Sequence, residues 1–199
     1  MLDRLIGRRL WAFALVALCI TVIGTAWSFS APLFSGLDER SHVIRAVGIG
    51  KGDLFGGAIT DAERTLLQST FPETGPVRSF NVPKWLREPA PGCAKITPAV
   101  PATCSEDRVP GSGDGRAIST AGRAAPYYYA PLGAVSLVTS DEAGVYLMRF
   151  VSCLIAALFC AAGFVALGRA GAGPFSVLGL AACLTPICYY LFGTVNPST

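Results

Sequence analysis

LWAFALVALCITVIGTAWSF, Leu10–Phe29, decides the fold. An α-helix rises 1.5 Å per residue, so about 20 apolar residues cross the ~30 Å of hydrocarbon in a bilayer, and this stretch has that length. Outward from it, Arg4, Arg8 and Arg9 lie before the run, and no charge follows until Asp38. The C-terminal quarter has the same character: between Arg149 and Thr199 the only charge is Arg169. Phe150–Gly168 (FVSCLIAALFCAAGFVALG), lengthened at its leading end by Val145 to Met148, is a second span. Phe175–Phe192 is a third, in which Gly179 and Pro186 predict a bend.

The expected fold class is an all-α membrane protein with three transmembrane helices and a large extracytoplasmic loop after the first, the loop partly irregular with short helices. The boundaries are a cytoplasmic N-terminus (1–9), helix (10–30), extracytoplasmic loop (31–143), helix (144–168), cytoplasmic turn (169–174), helix (175–193) and an extracytoplasmic end (194–199). Orientation follows the cations: the arginines before the first span and Arg169 in the short turn belong inside. The segment Leu33–Ala143 carries eleven Lys/Arg against twelve Asp/Glu, near neutrality, and translocates readily. The net charge of +3 thus comes from membrane flanks rather than a basic patch, which argues against a nucleic-acid partner. The small residues Ser28, Ser30 and Ala31 also suit a signal-peptide cleavage site, but the apolar run is longer than such peptides carry, and a retained anchor is the better reading.

Within the loop, Phe71–Ala125 is dense in Pro and Gly, so coil or short strands and a thin core are expected. Two pieces before it are better organised. Ser41–Ile49 places Val43, Ile44 and Val47 on one side of a helix that the Gly48, Gly50, Gly52 series ends. Thr60 with Glu63 forms a capping box opening Asp61–Phe71, whose Leu66, Leu67 and Phe71 make an apolar stripe. GIGKGD is not a phosphate loop, because Lys51 is followed by Gly52 and the spacing of a Walker motif is absent.

Cys19, Cys153, Cys160, Cys183 and Cys188 sit in apolar spans, where a thiol packs as a small hydrophobe, and no metal spacing appears among them. Cys93 and Cys104 are the two cysteines of the loop; an oxidising compartment lets them pair as a structural disulfide, with two free thiols as the alternative.

The chemically dense stretch is LDERSHVIR, Leu37–Arg45. On a helix, Asp38, His42 and Arg45 share a face, and Glu39 stands one step round. A carboxylate between a low-dielectric boundary and a cation is suited to general-base work, and an Asp/Glu pair with the chain's single histidine also suits a divalent ion. The bland reading is equally physical: Ser35 and Asp38 have capping-box spacing, acids favour a helix N-terminus, and His42 with Arg45 simply pairs with them.

GLDERSHVIRAVGIGKGDL resembles the opening of a bacterial membrane-protein family, domain of unknown function 2142, at Asp38, Glu39, His42, Arg45 and Gly52. Pro126–Leu132 (PYYYAPL), Arg149 at the start of the second span and Asn196-Pro197 resemble later segments of that family, although Leu37 stands where the family has proline. The family's members are longer, so the resemblance implies an N-terminal fragment. It is similar in turn to the GT-C type polytopic glycosyltransferases that use polyprenyl-phosphate-sugar donors. That similarity implies Asp38 as base on the acceptor hydroxyl and Glu39 as its catalytic partner or an ion ligand. It also implies His42 and Arg45 as binders of the lipid phosphate, and the cluster Tyr127 to Tyr129, with Tyr127 and Tyr128 foremost, as platforms for sugar or polyprenyl chain. An interfacial aromatic belt is the alternative for the tyrosines.

The implied protein is a multi-pass component of a bacterial inner or plasma membrane in cell-envelope polysaccharide assembly. Its partners are the lipid bilayer, a polyprenyl-phosphate-sugar donor and a glycan acceptor; the cofactor is unknown. The competing class is a non-enzymatic scaffold or transport component, whose spans pack with partner helices through Gly163, Ala156 or Ala157, Gly179, Ala181 and Ala182, or an inactive fragment.

Overall fold

The computed structural model describes residues 2–36, 38–70, 77–87, 113–139 and 141–197, with side chains of 2–6, 8 and 66–70 left aside. Cys93, Cys104, Phe71 and the side chains of Leu66 and Leu67 lie outside the described residues, and with them the disulfide and the stripe of the second loop helix. The chain is mostly helical. Its elements are α1 (Leu2–Ser30), α2 (Glu39–Gly50), α3 (Asp61–Thr70), β1 (Arg78–Pro83), α4 (Lys84–Arg87), β2 (Asp114–Ser119), α5 (Pro126–Val135), α6 (Glu142–Arg169), α7 (Pro174–Cys183) and α8 (Pro186–Phe192). Two helices, α1 from Arg9 onward and α6, are long and apolar enough to cross a membrane. The pair α7 and α8 makes a third candidate if it is one span, bent by 62°. The bend falls where Pro186 follows Thr185: a prolyl nitrogen cannot donate to the preceding turn, so one helix stops and another starts.

The chain forms two compact units. In the unit made of α1, α6 from Arg149 onward, α7 and α8, the buried centre is Ile20, Cys153, Ala156, Ala157 and Phe192. Gly24 of α1 lies so close to Cys153 and Phe192 that a side chain there has no room, and a Cβ on Gly193 would meet the Gly24 carbonyl at 3.0 Å. Small residues set the approach of helix to helix in lipid, where burial of apolar surface gives no drive. Ala156 and Ala157 are buried inside this unit, whereas a Cβ on Gly179 would meet nothing within 4 Å and Ala181 and Ala182 are exposed. Arg149 is fully buried and donates to the Ser28 carbonyl at 2.8 Å, satisfying one of the last acceptors of α1. Cys19, Cys153, Cys160, Cys183 and Cys188 are free thiols.

The other unit runs from Ala31 to Met148 and includes Val195–Pro197. The expectation of a thin core is corrected here, because α2 is buried on all sides: every residue from Val43 to Ile49 is inside. On one flank α5 crosses it so closely that a Cβ on Gly133 would meet the Ala46 carbonyl at 2.6 Å and the Gly50 nitrogen at 2.8 Å. On another lies a two-stranded antiparallel sheet with Phe80 opposite Ala117 and Val82 opposite Gly115. Its alternation puts Phe80 and Val82 inward and Asn81 outward. Gly48 of α2 seats the Phe80 ring. Strict all-α architecture is thus departed from by this one sheet, in the stretch where short strands were expected. The capping box forms as read: Thr60 N–H donates to the Glu63 carboxylate at 2.7 Å, and Glu63 N–H to Thr60 Oγ1 at 3.3 Å.

Candidate functional site

Between α1 and α2 the backbone turns sharply, with positive φ at Phe34 (60°) and Asp38 (63°). Aspartate visits this left-handed region with little cost; a bulky phenylalanine there is a true outlier and needs support. Glu39, the first residue of α2, supplies it. Its carboxylate is 1 % exposed, and one oxygen accepts the Phe34 N–H at 2.9 Å while the other accepts the Val195 N–H at 3.2 Å. Acid at the first turn of a helix also suits the macrodipole. Glu39 is therefore drawn away from the catalytic partnership expected of it: both oxygens are engaged with backbone, which sequence distance (156 residues to Val195) concealed.

Asp38 is exposed and is the N-cap of α2, yet its side chain makes no capping hydrogen bond. Ser35 and Asp38 do not form the alternative box, since α2 begins only at Glu39. Four residues on, His42 is half-buried, and its Nδ1 lies 2.7 Å from the hydroxyl of Tyr129 on α5, the two rings stacked at 18°. Burial pulls the His42 imidazole below its ordinary 6.5, and the negative charges of Asp38 and Glu39 oppose that shift without overcoming it. Burial pushes the Tyr129 phenol well above its usual range, so it keeps its proton.

Arg45 is the surprise of the cluster. It shares the expected helix with His42 but is only 3 % exposed, its Nη2 donating to the Ala124 carbonyl at 2.7 Å. Its guanidinium stands over the rings of Phe80 (5.4 Å) and Tyr129 (5.7 Å), and Nε and Nη1 find no acceptor among the described residues. Aromatic faces compensate part of the charge that water no longer solvates. The side chain is thus closed off from solvent, unlike the exposed Asp38.

Of the tyrosines, Tyr127 is 81 % exposed and Tyr128 meets Tyr129 edge-on at 5.1 Å. Tyr129, which the sequence placed in the tyrosine cluster without distinguishing it from its neighbours, is the one that meets His42. Its signal was present: Tyr129, Leu132 and Val135 repeat at three-residue intervals, and all are buried. Among the described residues no group of three or more His, Cys, Asp and Glu side chains gathers as a metal site would.

The family described as Predicted membrane protein (DUF2142) matches residues 20–199, most of the chain. Nothing matches among curated proteins, and nothing among solved structures.

Proposed function

The chain belongs to this family of predicted membrane proteins, and from that premise we propose that it serves a polyprenyl-phosphate-sugar-dependent glycosyltransferase activity of the bacterial cell envelope. Residues 31–143 lie on the outer face of the plasma membrane in this reading. The observation that carries it is the division of labour at the start of α2: of two adjacent carboxylates, Glu39 is spent on the backbone and Asp38 stands exposed, four residues from a neutral histidine. Asp38 takes the proton of the acceptor hydroxyl; the freed oxygen bonds to the anomeric carbon of the donor sugar, and the polyprenyl phosphate leaves with the bonding pair. His42 hydrogen-bonds the departing phosphate, and the buried charge of Arg45 favours it electrostatically. Tyr127, exposed on α5, is placed to stack on sugar or lipid chain.

The test is transfer from a polyprenyl-phosphate-sugar donor by the full-length protein in proteoliposomes. Asp38→Asn lowers turnover by about 10²–10⁴ where proton abstraction is limiting, with membrane insertion unaltered. Undiminished transfer returns Asp38 to a plain helix start. A second reading, a scaffold packed against partner spans, draws on the unpartnered small-residue stretch of α7 at Gly179, Ala181 and Ala182. Cysteine cross-linking at Gly179 to a second membrane protein, together with no transfer by the intact protein, favours it.

A further inference from the structure

The Tyr129 hydroxyl is wholly buried and holds its hydrogen, and that hydrogen needs an acceptor. Arg45, over the same ring, has only donors. The one acceptor at hydrogen-bond distance among the described residues is His42 Nδ1, at 2.7 Å. Were Nδ1 instead the donor, the phenolic hydrogen would be stranded inside the protein. The remaining ring nitrogen, Nε2, has no partner among the described residues and is not among the buried unpartnered atoms, so it opens to solvent.

We propose that Tyr129 is a positioning residue that donates to Nδ1 of His42 and thereby fixes a neutral imidazole whose Nε2–H is a hydrogen-bond donor for a phosphoryl oxygen. In this tautomer Nε2 carries no lone pair, so His42 binds and does not abstract protons; the base must be Asp38. The ligand half of this inference rests on the transferase reading, whereas the tautomer does not.

The groups that act on the imidazole are few. Asp38 and Glu39 come from its own segment and Tyr129 from α5, with the Arg45 guanidinium over the Tyr129 ring. On the sheet packed against α2, Asp114 pairs with Lys51, Arg116 with Glu63, and Arg78 lies against Gly56 and Gly122. Arg40 reaches to the Leu86 carbonyl. A hydrogen bond donated to the neutral ring disfavours its protonation, and one accepted from the ring favours it. The sign of the change on deleting the hydroxyl therefore identifies the donor.

His42 is the only histidine of the chain, so a single labelled imidazole is observed. The experiment is a ¹⁵N-histidine NMR titration of the full chain in lipid nanodiscs, purified through a tag without histidine. Wild type is expected to show a protonated Nε2 and an unprotonated Nδ1, and Tyr129→Phe to move the titration midpoint up toward 6.5. A protonated Nδ1 in wild type, or a midpoint that falls or stays put in the variant, overturns the proposal. Where Tyr129→Phe does not fold, the wild-type tautomer alone decides. Addition of farnesyl phosphate, and separately of inorganic phosphate, should shift the Nε2 resonance. A response to the lipid alone identifies a membrane headgroup, and a response to both a site for phosphate as such. No response to either refutes the ligand half. The tautomer is read without a transfer assay, so a chain that transfers no sugar still passes or fails it.

Discussion

Glu39→Gln and Asp38→Asn change neighbouring residues by the same one-atom exchange, and the structure sends them to opposite outcomes. Glutamine at 39 keeps one acceptor oxygen and turns an NH2 group toward the other backbone N–H, so two donors face each other in a site that is 1 % exposed. A hydrogen bond to a charged acceptor contributes about 1.5–3 kcal/mol, and a buried amide left without a partner costs about 1–3 kcal/mol. The two overlap, since they describe the same lost bond, and the removed charge returns some desolvation. A net loss of about 2–3 kcal/mol remains, which for a chain of this size lowers Tm by roughly 4–12 °C. Asparagine at 38 replaces an exposed side chain with no capping bond, and a stability change within about 0.5 kcal/mol is expected. Thermal unfolding in nanodiscs, followed by tryptophan fluorescence, separates them. Equal melting of Glu39→Gln and wild type, accompanied by a collapse of sugar transfer, would refute the structural role given to Glu39 and restore it to the chemistry.

Gly133→Ala should destabilise by about 2–3 kcal/mol despite alanine's better helix propensity, because the added methyl meets backbone atoms of Ala46 and Gly50 that cannot turn aside; chemical unfolding measures it, and a stabilised variant would show that α2 and α5 sit further apart. Stability should fall as pH drops from neutrality through 6.5. The unfolded imidazole of His42 titrates near that value and the folded one below it, so the unfolded chain holds more protons in between, and the decline levels off below the folded value. The difference between wild type and His42→Gln across pH 5–7 isolates this contribution; parallel curves would contradict it. Thr60→Ala removes the side-chain half of the capping box, the Oγ1 that accepts the Glu63 N–H, while the backbone N–H of residue 60 still reaches the Glu63 carboxylate; it should cost about 1 kcal/mol, seen as faster amide exchange in the first turn of α3 with α2 unchanged.

Periodicity and length made the spans, the proline bend, α2 and the capping box of α3 legible from sequence, because each depends on residues within a few positions of one another. Gly24 escaped notice because its significance lies in Cys153 and Phe192, far away in the chain. The candidate site was legible in composition and not in role. Helical spacing placed Asp38, His42 and Arg45 together, but side-chain burial on α2 depends on what covers it, and the sheet that includes Phe80 closes over Arg45. Likewise three successive tyrosines are indistinguishable as letters; the crossing of α5 over α2 selects Tyr129 and leaves Tyr127 outside.

The carboxylate of Glu39 also sets an order of assembly. A growing chain reaches Phe34 and Glu39 early, and that half of the clip closes locally, five residues apart. Its other oxygen waits for Val195, which is made only after α6, α7 and α8. Until the last of these helices has been threaded, a buried anion beside a left-handed phenylalanine lacks one of its ligands. Completion of the turn after the first helix thereby depends on a residue made after the last.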